Sequence, residues 1–257
     1  MNFLISAVTD IGLTKSTNQD CYFVSRFKTK QGNVVLAVLC DGMGGLSKGE
    51  IASSSVINAF KKWSETRLPQ LLETGFNEVT LQAEWNEIAV SFNRKIMDYA
   101  RSFGTNMGTT LVAMLLTETY FFIINVGDSR VYEISNQLRV LTTDQTVVAR
   151  EVELGNLTPE EAERDPRRSV LLQCIGASDE VIPDFFMGNV MQDAVYMLCS
   201  DGFRHEITPD EIYSYMNASV MTSVPQMQAN MQALVETNKQ RQERDNITVI
   251  GIRTYAE

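Results

Sequence analysis

The sequence is short of positive charge and almost empty of histidine. Its 257 residues carry 22 lysines and arginines against 32 aspartates and glutamates, with one histidine, for a formal net charge of −10. A chain this acidic offers no electrostatic footprint for nucleic acid or for an anionic membrane surface, and neither is expected as a partner. Cysteine is sparse as well. Cys21, Cys40, Cys174 and Cys199 are scattered, mostly inside apolar runs, with neither a C-x-x-C pair nor a metal-finger spacing. Buried, reduced thiols are the expectation. No apolar run approaches the roughly 18 residues of a membrane span, and the first ten residues lack the basic start and long apolar core of a signal peptide. A cytoplasmic protein is expected. No Pro/Gly/Ser-rich linker interrupts the chain, so residues 1–257 are read as one domain, and a hydrophobic share of 44% is enough for a sizeable core.

What the chain does have is a repeated construction. The run Val34-Val35-Leu36-Ala37-Val38-Leu39-Cys40 has the length and β-branched content of a strand buried on both faces, and it ends abruptly in Asp41-Gly42-Met43-Gly44-Gly45. The carboxylate therefore sits at a strand tip, and the glycines let a backbone carbonyl approach a ligand beside it. Alone, this would be a strand turning at a solvated Asp-Gly. The construction recurs: residues 120–126 run into Gly127-Asp128-Ser129-Arg130, and residues 194–200 run into Asp201-Gly202. A fourth acid, Asp245, stands before the strand-like run 247–252. Four acids at strand ends can converge on one edge of a sheet, where they repel each other unless cations neutralise them. Carboxylate, carbonyl and water ligands suit Mg²⁺ or Mn²⁺ rather than zinc.

In this order, Asp41-Gly42-Met43-Gly44-Gly45, Gly108-Thr109-Thr110, Gly127-Asp128-Ser129-Arg130, Ser200-Asp201-Gly202 and Asp245-Asn246, with Thr17-Asn18-Gln19-Asp20 ahead of them, the motifs resemble those of the metal-dependent Ser/Thr protein phosphatases, the type 2C or PPM family. The resemblance covers residues 8–252 and is similar to compact bacterial members that consist of a catalytic domain alone. It implies an α+β fold, an αββα sandwich of two antiparallel sheets flanked by helices, with the metals in a cleft at one end.

The resemblance also implies a site. Asp41 would bridge two core ions of Mn²⁺ or Mg²⁺ about 4 Å apart, Gly42 would offer its carbonyl, and Asp201 and Asp245 would complete the first ion's shell. Asp128 with Asp201 would hold a weaker third ion, and Asp20 corresponds to an acid of the metal region. Asp41, Asp201 and Asp245 are the residues on which catalysis would depend, through a metal-activated water that attacks phosphorus in line with no covalent phosphoenzyme. Lys15 takes the place of the arginine that meets the substrate phosphate, and without the family it reads as a solvated loop lysine. Gln19 stands where many members have Glu. Met43 stands where some have a histidine, which leaves the proton donor to the leaving group unassigned. The implied partners are phosphorylated proteins, a Ser/Thr kinase and its substrates, with the enzyme itself a monomer. Two other classes fit parts of the pattern: a pseudophosphatase that binds phosphoproteins without turnover, and a metal-stabilised scaffold, which accounts for the acids but not for the ordered motifs. Cys199 with Arg204 approaches the C-x₅-R loop of cysteine-based phosphatases, but the arginine comes one residue early and a thiol nucleophile is discounted.

The remaining sequence supplies the frame. Residues 3–8 and 21–27 read as strands, with a hairpin turn at Gln31-Gly32-Asn33 leading into the central run. Apolar residues at helical spacing in 53–63 and 81–99 predict two helices joined by a Gly-containing connection, both packed on a sheet. Residues 109–116, 120–126, 130–135 and 138–141 read as an antiparallel meander. Residues 145–178 read as helical and polar; in the family this is the flap beside the active site. There Arg167 and Arg168 either meet acidic or phosphorylated substrate or belong to a solvated charged loop. Capping boxes at 158–161, 208–211 and 223–226 open three helices. His205, the one histidine, has no nucleophile pattern beside it and is read as a surface or structural residue.

Overall fold

The computed structural model describes residues 1–29, 32–44, 48–74 and 77–256. Gly45 of the first glycine motif, Gln31 of the predicted hairpin turn, and residues 75 and 76 between the first helices lie outside them. In chain order the elements are β1 (Asn2–Asp10), β2 (Cys21–Thr29), β3 (Gly32–Cys40), β4 (Gly42–Met43), α1 (Gly49–Thr66), α2 (Leu68–Thr74), α3 (Glu78–Ser102), β5 (Gly108–Thr109), β6 (Leu111–Leu116), β7 (Tyr120–Val126), β8 (Arg130–Ile134), β9 (Leu138–Val140), α4 (Val147–Glu153), α5 (Pro159–Arg164), β10 (Asp184–Asn189), β11 (Val195–Cys199), α6 (Asp201–Arg204), α7 (Pro209–Met216), α8 (Val224–Gln240) and β12 (Ile247–Tyr255). One five-stranded sheet has the order β1-β12-β11-β8-β9, the other β10-β7-β6-β3-β2, and β4 pairs with β5. Every strand pairing is antiparallel.

Alternation along β3 explains its unbroken apolar run. Leu36, Val38 and Cys40 point to one side, where α1 and α3 cover the sheet with Val56, Phe60, Trp63, Trp85 and Ile96. Val35, Ala37 and Leu39 point to the other and meet Tyr196, Leu198, Ile250 and Ile252 of the second sheet. The far face of that sheet is covered by Ile212 and Met216 of α7 and by Met227, Met231 and Leu234 of α8, against Met197, Cys199 and Val249. Three apolar layers thus lie between four layers of secondary structure, the expected αββα sandwich. Each fully buried side chain of this kind contributes about 1.5–3 kcal/mol relative to leaving it in water.

Local chemistry sets the helix ends. Thr158 and Thr208 form reciprocal capping boxes with Glu161 and Glu211. At α8 only half of the predicted box forms: Ser223 accepts from the Gln226 backbone, while the Gln226 side chain donates to Asn230 at 2.7 Å. The expected strand 109–116 is divided into β5 and β6. The stretch 145–178 holds only two short helices, α4 and α5. Edge strand β10 was not foreseen, because Asp184-Phe185-Phe186-Met187-Gly188-Asn189 has neither alternation nor a long apolar run. Among the described residues no helix is long and apolar enough to cross a membrane.

Register gathers the acids. Cys21 pairs with Cys40, so Asp20 just before β2 lies beside Asp41 just after β3. In the other sheet Cys199 pairs with Val249, which brings Asp201 after β11 to the same end as Asp245 before β12. An antiparallel neighbour returns to the end that its partner has just left, so acids after one strand and before the next share an edge.

Candidate metal and active site

Asp41 is held from below by the Gly108-Thr109-Thr110 motif. Its backbone N–H donates to Thr110 Oγ1 at 2.9 Å, and its carbonyl accepts from Thr110 N at 2.9 Å and from Thr109 Oγ1 at 3.0 Å. Thr110 Oγ1 also shares a hydrogen bond of 2.8 Å with Ser129, which ties the strand tip of Asp41 to that of Asp128. Gly42 must be glycine: a Cβ there would lie 2.4 Å from the Gly49 carbonyl oxygen and 2.5 Å from that of Gln19. The close approach brings the first turn of α1 against the Asp-Gly corner. Gln19, in the position of an expected Glu, is buried, and its side chain donates to Glu50 at 3.5 Å.

Asn246 fastens the loop between β1 and β2 to this end of the sandwich. Its amide donates to the carbonyls of Ile11 at 2.9 Å and Thr17 at 3.3 Å, and its Oδ1 accepts from Gln19 N at 2.8 Å. Asp20, at the end of that loop, accepts from Ser200 Oγ at 2.9 Å. The other oxygen of Asp20, and Oδ1 of Asp201, are buried with no hydrogen-bond partner. Buried carboxylate oxygens are ordinarily satisfied, and two orphans in one acid cluster fit a group that accepts electron pairs, as a divalent cation does.

Electrostatics carry the same message. Burial, reinforced by the charges of Asp20, Asp201, Asp245 and Asp128, pushes the Asp41 carboxyl well above the usual carboxylate range. Burial raises Asp20 to about 7, with Asp201 and Asp245 adding to it and the hydrogen bond from Ser200 opposing it. Asp128 is likewise raised to about 7 by burial and by Asp201, although Arg204 opposes the shift. Five aspartates on five separate segments therefore feel one another's charge. Among the described residues, no three histidine, cysteine or acidic side chains are drawn tightly enough to cage an ion. Mutual repulsion opposes closure until a cation offsets it. The donor set is all oxygen and of the hard-ion kind, so the residues fit Mg²⁺ or Mn²⁺.

Protein cations already reach the cluster. Lys15 Nζ lies 2.7 Å from Asp245 Oδ1. Burial would lower the pKa of Lys15, but the hydrogen bond and charge of Asp245, with Asp41 and Asp201 farther off, outweigh it and hold the ammonium above its ordinary value. The structure thus sets Lys15 on an acid, where the resemblance implied a phosphate. Arg204 donates to the Asp128 carbonyl at 3.1 Å and lies 3.5 Å from its carboxylate and 3.3 Å from that of Asp144, itself held bidentately by Arg130 at 2.8 Å. His205 is not at the surface. It stands between Asp201, 3.5 Å away, and Glu243, 3.4 Å away, and Glu243 accepts from the Asp245 backbone at 2.8 Å. The histidine so connects two candidate ligands.

Burial pushes the Cys199 thiol up to about 12, which leaves essentially no thiolate at neutral pH and removes it as a nucleophile. In the flap, Arg167 is paired with Asp165 at 2.7 Å and Arg168 lies 3.9 Å from Glu206, so both have acidic partners within the chain. Asn246 and Thr110 stood in the sequence motifs without an assigned role. Arg204 drew notice only as the arginine of a discounted cysteine-phosphatase loop, and Asp144 and Glu243 carried no sequence signal at all.

A profile described as protein phosphatase 2C matches residues 14–241. Protein phosphatase PhpP of Streptococcus pneumoniae is 32% identical over 251 residues, covering 95% of each chain. Among solved structures, the Streptococcus agalactiae serine/threonine phosphatase superposes with a TM-score of 0.84 at 30% identity, covering 98% of this chain and all of the other. The catalytic domain of the serine/threonine protein phosphatase PstP, solved with two manganese ions, superposes with a TM-score of 0.78 at 26% identity, covering 99% of both chains.

Proposed function

Since the chain belongs to the protein phosphatase 2C family, we propose that it is a serine/threonine phosphatase whose catalytic centre is the acid cluster at the end of the two sheets. The observation that carries this reading is the convergence of Asp20, Asp41, Asp128, Asp201 and Asp245, with two of their buried oxygens left without partners. Asp41, the Gly42 carbonyl, Asp201 and Asp245 would hold two divalent ions, with Asp20 at the edge of that set and Asp128 with Asp201 serving a third. Such ions supply Lewis-acid stabilisation of phosphoryl oxygens and acidify water enough to make it a nucleophile near neutral pH.

The chain's own residues do the positioning. Thr109 and Thr110 fix the Asp41 backbone, so the root of its carboxylate is held in place at the strand tip. Asn246 keeps the Lys15 loop beside the acids, from where the ammonium can reach a phosphoryl oxygen of the substrate. The Asp201–His205–Glu243 chain holds the acids of the second sheet in register. The protonated Cys199 thiol is not the acceptor, and we take transfer to go directly to water. We take residues 1–257 as one catalytic domain that acts as a monomer in the cytoplasm on phosphorylated proteins, among them a Ser/Thr kinase and its substrates. A phosphothreonyl peptide incubated with the protein should release phosphate with Mn²⁺ present and none in excess EDTA. Full release in EDTA contradicts the proposal, and binding without release would leave a phosphoprotein-binding module.

A further inference from the structure

Five carboxylates at one end of a sandwich need positive charge in the absence of metal. Among the described residues, the cations paired with them are Arg204 and Lys15, while His205 Nε2 lies 3.5 Å from Asp201. Arg204 cannot leave: its side chain is 13% exposed and it is held between Asp128 and Asp144, with Arg130 bound to the latter. Lys15 differs on each count. Its side chain and that of Asp245 are each 37% exposed, and one contact of 2.7 Å joins them. An ammonium on a four-carbon stem is a hydrated point charge that can exchange one oxygen for another, unlike a forked guanidinium.

The root of that stem is nevertheless fixed. Thr14 Oγ1 donates to the Arg244 carbonyl at 2.6 Å, and Asn246 binds the loop on either side of Lys15, at Ile11 and Thr17. The backbone of Lys15 is therefore anchored to the residues flanking Asp245, while its charge stays free to swing. Asp245 is also a candidate ligand of the metal pair, and a divalent ion taken up by its carboxylate would repel an ammonium held 2.7 Å from Oδ1.

We propose that Lys15 is a tethered counter-ion of the acid cluster, occupying Asp245 in the metal-free protein and displaced by an incoming divalent ion, so that metal loading releases the ammonium towards the substrate phosphate. The proposal rests on the metal-site reading above and adds an order of events: the phosphate-directed cation is withheld until the site is loaded. The lysine, where the family resemblance implies arginine, then has a purpose. An arginine could grip Asp245 with two parallel bonds and would be harder to displace.

The test uses the full chain stripped with EDTA. Isothermal titration with Mg²⁺ should show Lys15→Met binding the ion three- to tenfold more tightly than wild type, and Lys15→Arg binding it no more tightly. In parallel, wild-type protein with ¹³C-dimethylated lysines, which keep their charge, should show the Lys15 resonance moving over the same Mg²⁺ concentrations that saturate the site. Unchanged or weaker Mg²⁺ binding in Lys15→Met overturns the proposal. So does a Lys15 resonance that stays still while wild type binds Mg²⁺, for then the lysine acts only through its distant field. Wild type that takes up no Mg²⁺ at all overturns the metal site itself.

Discussion

Replacing Asp128 by asparagine should make the metal-free protein less sensitive to pH, in a direction fixed by burial. Asp128 titrates near 7 in the fold against an ordinary 3.8, because burial and the charge of Asp201 disfavour its ionised form more than Arg204 favours it. Between those two values the folded protein binds a proton that the unfolded chain has released, so stability falls as pH rises through the window. The favourable contribution is complete below about 4 and is lost as pH passes 7. Between pH 5 and pH 8 the wild type should therefore lose roughly 2–3 kcal/mol relative to Asp128→Asn, whose side chain keeps the shape and never ionises. Urea unfolding in EDTA at the two pH values measures the difference directly. Added Mg²⁺ at pH 8 should restore much of the wild-type deficit, since the cation takes over the proton's role. If the two proteins keep a constant stability difference from pH 5 to pH 8, Asp128 is not buried among like charges and the account of the cluster fails.

Asp41→Asn and Asp201→Asn should each lower kcat by roughly a hundredfold or more, about 3 kcal/mol, because each would remove charge from the proposed metal site; steady-state kinetics showing a tenfold loss or less in both would contradict their assignment. Arg204→Met should destabilise the protein by about 3 kcal/mol or more, since it leaves the buried Asp128 facing Asp144 with no cation between them. A midpoint of chemical unfolding equivalent to less than about 1 kcal/mol of loss would mean that water serves those carboxylates instead.

The sandwich was legible because its strands announce themselves. Residues 34–40 form an unbroken apolar run and 120–126 one broken only by Asn125, each leading to an acid, and the structure buries both of their faces. Asp41, Asp128, Asp201 and Asp245 were legible for the same reason, each standing where a strand-like run begins or ends, whereas Asp20 was placed by the family resemblance. Sequence could not show what holds them. Arg204 and Asp144 are 60 positions apart, and their meeting depends on how β8, β11 and the segment after β9 pack. His205 reads as a surface or structural residue, and the structure takes the second of these: nothing local indicates Glu243, which stands 38 residues on and faces the histidine from the side opposite Asp201. Lys15 was placed on the right loop, but its partner is fixed by the anchoring of that loop to Arg244 and Asn246, a long-range contact that no local pattern encodes. Edge strand β10 escaped because half-buried edge strands need no alternation.

The central claim, that these aspartates form a site for hard divalent ions, is tested most directly by an anomalous difference map from crystals soaked in Mn²⁺. The account predicts two strong peaks bounded by Asp41, Gly42, Asp201 and Asp245, with Lys15 no longer in contact with Asp245. A map with no peak at this end of the sandwich, or with Mn²⁺ bound only elsewhere, would contradict it.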